Sequence, residues 1–105
     1  MKRNYTQEQL IHIREQAVIY QCACPAQVCL AIDAMDKLYK YQQHCLNSDE
    51  TNHKVHTTIA KSSEACYHEL EQCLTEVLAL EGWNMDTLDM PEILHKQLLD
   101  SLSKP

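Results

Sequence analysis

Sulfur and imidazole are the side chains of this sequence most able to do chemistry. Six cysteines (Cys22, Cys24, Cys29, Cys45, Cys66 and Cys73) and six histidines fall within 105 residues. A thiolate is both a soft metal ligand and a nucleophile, and an imidazole changes charge near neutral pH. Three of the thiols crowd around Pro25, as Cys22, Cys24 and Cys29. If Cys73 lies alongside them, Cys22, Cys24, Cys29 and Cys73 offer four thiolates at one end of a helical bundle. Such a set suits zinc, copper(I) or an iron–sulfur centre. The intervals between the first three differ from the C-x-x-C pairs of zinc ribbons. Cys24 is also placed to open a helix, where the N-terminus stabilises a thiolate for redox or nucleophilic work. The plainer role of these sulfurs is as small apolar atoms in a core.

A second group gathers further along, where His44 and Cys45 close one helical pattern and His53 and His56 open the next. His53 and His56 share a helix side at i, i+3, a spacing that fits either a ligand pair or a pH-sensing cluster. His44 near a helix C-terminus also complements the macrodipole.

Enzyme constellations are missing from the remainder. With a single glycine, Gly82, there is no phosphate-cradling loop. Neither H-E-x-x-H nor G-x-S-x-G occurs. Glu92 and His95 match one carboxylate–imidazole pair of a di-metal bundle, but the second pair is absent. No nucleophile, base and orienting group fall together, so an enzyme is not expected.

The elements that must position these residues are helices, and the fold expected is an all-α, antiparallel up-down bundle of three main helices plus a short fourth. Their spans are about 6–23, 25–46, 49–81 and 91–102 within one domain, 1–105. Thr6 and Gln9 form a capping box that starts the first helix, whose core stripe is Leu10, Ile13, Ala17, Tyr20 and Gln21. Pro25 suits the first turn of the second helix, because its missing N–H costs nothing there. On that helix Val28, Ile32, Met35, Leu38, Tyr39 and Gln42 read as the buried face. Asp33, Asp36 and Lys40 read as the solvated one, and Cys29 falls off the core stripe. The third helix shows a three–four alternation through Val55, Ile59, Ser63, Cys66, Leu70, Cys73, Val77 and Leu80, read as its core face. Gly82 follows as a left-handed C′ residue, and Trp83, Met85, Leu88 and Met90 are available to cover the bundle end.

The first helix has more apolar surface than one core requires. Ile11, Val18 and Ile19 point away from the core stripe and form the expected partner-binding face, for another protein or for a second copy. Charge narrows the partner further. The net charge is −6, and no Lys or Arg occurs between Lys61 and Lys96 while eight acids do. That stretch repels phosphate, which argues against nucleic acid and anionic membranes. No apolar run reaches the roughly 18–20 residues a membrane span needs. Met1–Gln9 is polar and no secretory h-region follows, so a reducing cytoplasmic setting is expected for the thiols.

Overall fold

The computed structural model describes residues 1–19, 23–47 and 52–91. These form three helices, α1 (Gln7–Ile19), α2 (Cys24–Asn47) and α3 (His53–Glu81), and no strand occurs among the described residues. The expected fourth helix lies almost wholly in residues 92–105, outside the described residues, as do 20–22 and 48–51.

Local chemistry sets the helix ends. At the start of α1 the Gln9 amide donates to Thr6 Oγ1 at 3.1 Å, and the Thr6 amide donates to Gln9 Oε1 at 2.8 Å. This reciprocal capping box satisfies two backbone N–H groups at the helix start. α2 opens on Cys24 and Pro25, with the Gln27 amide donating to Ala23 O at 2.9 Å. α3 begins at His53, later than expected, and ends on Gly82 at φ 79. The amides of Gly82 and Trp83 donate to the carbonyls of Ala79 and Leu78, closing the last turn. Just beyond, Asn84 Oδ1 accepts from the Asp86 and Thr87 amides. Leu88 adopts φ 60, a strained value for a leucine, and its side chain is 4% exposed. The burial of that side chain with Trp83 in the core offsets the strain.

α2 is the spine, the helix that lies closest to both α1 and α3, and side chains of all three meet in one core. The core holds Leu10, Ile13 and Ala17 from α1, Ala26, Cys29 and Ile32 from α2, and Tyr67, Leu74 and Leu78 from α3. Tyr5, Trp83 and Leu88 complete it from outside the helices.

The stripe of α1 is as expected within the described residues, but two other faces are rotated. Cys29, expected off the core, is 1% exposed and belongs to it. Asp36, expected in solvent, is 3% exposed. On α3 the buried residues are Ala60, Ser63, Tyr67, Glu71, Leu74 and Leu78. Val55, Cys66 and Leu80 of the expected face are instead exposed, and only Ser63 belongs to both stripes. Rotation wins because the deep positions of α3 include the large residues Tyr67, Leu74 and Leu78, whereas the alternative stripe is small at Cys66 and Cys73.

Candidate functional site

The outer side of the α1–α2 pair carries an open trough of about 490 Å³, lined by Ile11, Arg14, Glu15, Val18, Ala23, Ala26, Gln27 and Leu30. Its position follows from helix geometry. Leu10, Ile13 and Ala17 turn one side of α1 into the core, which leaves Ile11 and Val18 about 100° or more away. Ile11 is 41% exposed, Val18 70% and Leu30 of α2 42%. Such large aliphatic side chains around one concavity form a contiguous apolar patch that a monomer leaves in water. Arg14 and Glu15 give the trough one cation and one anion. Ile11 and Val18 thus line the same concavity. Ile19 ends α1, where its backbone belongs to the helix.

Among the described residues the thiols form no metal site. Cys22 lies outside the described residues; Cys24 is exposed, Cys29 buried and Cys73 half-buried. Burial pushes the Cys29 thiol up from 9.0 to about 11, against a smaller opposing pull from the Arg14 guanidinium. The protonated form is favoured there, the opposite of what a ligand or nucleophile needs. The same holds for the imidazole group among the described residues. His44 and His53 are exposed and Cys45 is half-buried, while His56 Nδ1 is 2.7 Å from Oε1 of the buried Gln42. Among the described residues no three His, Cys, Asp or Glu side chains come together as a metal site.

A buried polar cluster, unforeseen from the sequence, ties the N-terminal segment to α2 and α3. Glu71 is 0% exposed. Its Oε2 accepts the Asn4 amide at 2.7 Å and the Tyr5 amide at 3.2 Å, and its Oε1 lies 3.2 Å from His68 Nδ1. Tyr5 Oη and Thr75 Oγ1 share a hydrogen bond of 2.6 Å. Arg3 pairs with Asp36, which also holds Lys40 at 3.0 Å, and the Arg3 guanidinium carbon stands 5.9 Å from the centre of the Tyr67 ring. The Tyr67 hydroxyl is buried and has no well-formed hydrogen-bond partner among the described residues. Burial first, and then the Glu71 carboxylate, hold its proton more tightly than usual, with Arg3 opposing. One signal for Glu71 was present, since it lies four residues after Tyr67 and three before Leu74, inside an apolar stripe. Its acceptor role depends on amides 67 and 66 positions away, which periodicity does not encode. Chemically this cluster is a clasp, with its carboxylates occupied by partners within the chain.

Comparison with protein-family models, curated proteins and solved structures finds no match to this chain.

Proposed function

We propose that this protein works through protein–protein contacts, and that the α1–α2 trough is where a second copy docks to form a homodimer. The observation carrying this reading is the cluster of exposed Ile11, Val18 and Leu30 around one concavity. A second copy suits it because the polar residues of the trough are self-complementary. In a two-fold contact, Arg14 of one copy can face Glu15 of the other, and the same pairing recurs across the axis. The chain is a small acidic bundle with an up-down arrangement. In support of that topology, Gln42 late on α2 meets His56 early on α3, while Asp36, earlier on α2, gathers under Arg3 with Tyr67, later on α3.

The setting proposed is the cytoplasm. The thiols Cys29, Cys66 and Cys73 suit a reducing compartment. No helix among the described residues is long and apolar enough to cross a membrane. The acidic surface of α3 disfavours nucleic acid.

A charge swap tests the docking. Arg14→Glu alone puts two acids in each trough and lowers the dimer fraction, and adding Glu15→Arg restores it. A dimer fraction equal in both variants would contradict the proposal. Native mass spectrometry of the same samples reads the alternative, a metal or redox centre on Cys22, Cys24 and Cys29, as mass bound to the intact chain.

A further inference from the structure

α3 carries two apolar stripes, and the domain buries one of them fully and the other only in part. The part-buried stripe has a distinct period. Ile59, Ser63, Cys66, Leu70, Cys73, Val77 and Leu80 are separated alternately by four and three residues, which is the seam of an unbroken heptad repeat. The core of this domain is built instead from Ala60, Tyr67, Glu71, Leu74 and Leu78. At about 100° per residue, the heptad seam lies roughly a quarter turn from that core direction. Its burial is graded: Leu80 is 87% exposed and Cys66 is exposed, Ile59, Cys73 and Val77 are half-buried, Leu70 is half-buried against the core, and Ser63 is buried. On the opposite flank of α3, the N-terminal segment is fixed through Glu71 and Thr75. α2 lies closest along α3, and α1 adds its side chains to the same core. The outer edge of the seam, at Cys66 and Leu80, is the part of it that the domain leaves exposed.

Charge indicates what fits the seam. In heptad terms the outer rim positions flanking it are Ser62, Glu69 and Glu76, and all three are exposed. α3 has no Lys or Arg after Lys61, so nothing within the rest of the helix offsets those acids. A second α3 laid on this seam would bring acid against acid along the rim, which disfavours self-pairing. We infer that this seam is a docking surface for an amphipathic helix of a partner protein, one that presents an apolar a/d stripe flanked by Lys or Arg. It is a separate surface from the α1–α2 trough, whose paired Arg14 and Glu15 suit a second copy. The two faces thereby allow one chain to self-associate and hold a basic helix at once.

The test uses the full chain and three synthetic helical peptides of about three heptads. One has Leu at a and d with Lys on the rims, one has the same seam with Glu rims, and one is a scramble of the basic peptide. Fluorescence anisotropy should show the basic peptide binding at least about tenfold tighter than either control, and weakening as salt rises. Glu69→Lys with Glu76→Lys should invert the preference towards the Glu-rimmed peptide. Cys66→Arg or Leu80→Arg, both at exposed positions that leave the core intact, should abolish binding. Val18→Glu should not affect it. Equal binding of the basic peptide and its scramble, or loss of binding through Val18→Glu in place of Leu80→Arg, would overturn the proposal. So would a self-association that disappears with Leu80→Arg, which would assign the seam to a second copy.

Discussion

Cys29 and Cys66 are the same thiol in opposite surroundings, one in the core and one in solvent. Burial places the Cys29 pKa at about 11, so at about pH 8 Cys66 should react readily with a maleimide while Cys29 stays protected until the chain unfolds. Peptide mapping of a timed labelling reaction checks this, and equal rates at both sites would refute the placement of Cys29. The linkage has a definite sign. The folded pKa is raised, so the stability this thiol contributes is fully present below pH 9.0 and is lost as pH rises through about 11. The polar clasp makes a second pair of residue-level predictions. Glu71→Ala leaves the Asn4 and Tyr5 amides without their acceptor and should cost about 3 kcal/mol in urea unfolding. Tyr67→Phe removes a buried hydroxyl that lacks a good partner, keeps the ring beneath Arg3, and should change stability by less than about 1 kcal/mol or raise it. A large loss from Tyr67→Phe would mean that the hydroxyl is well bonded. Beyond the place of Glu71 in an apolar stripe, the clasp was not legible in the sequence, because its long-range donors and acceptors are joined by the fold across 33 to 70 positions.

Helix ends were legible in the sequence where the chemistry is local, and helix faces were less so. The Thr6–Gln9 box and the Gly82 terminus follow from residues within a few positions of each other, and both form as read. Thr6→Ala should cost about 1 kcal/mol by removing the cap. Gly82→Ala should cost a similar amount, about 1 kcal/mol, purely from backbone conformation, since a Cβ there would meet no atom within 4 Å. Thermal or urea unfolding of the two variants checks both values, and a neutral Gly82→Ala would contradict the left-handed assignment. The face of α3 failed for a physical reason. Periodicity gives the repeat, but its phase depends on contrast between stripes. In α3 Tyr67 and Leu74 compete with Ile59, Leu70 and Val77, and a glutamate sits among the buried positions. On α2 likewise, the carboxylate of Asp36 hides its burial from any reading by polarity, because Arg3 and Lys40 supply the compensation.

For the whole molecule, the all-helical architecture of the described residues was legible. Ile11 and Val18 stood out as apolar residues off the core stripe of α1, and the structure joins them to Leu30 in one trough. The placement of Cys29 off the core was misread, because its burial depends on the phase of α2 against its neighbours. The proposed division of labour, with a charge-balanced trough for self-association and an acid-rimmed seam for a basic helix, depends first on the trough. Light scattering across a concentration series measures it most directly. The wild-type chain should approach twice its 12.2 kDa mass, and Val18→Glu should remain at 12.2 kDa with an unchanged helical spectrum. A wild-type chain that stays at the single-chain mass throughout, or a Val18→Glu variant that still doubles, would contradict the account.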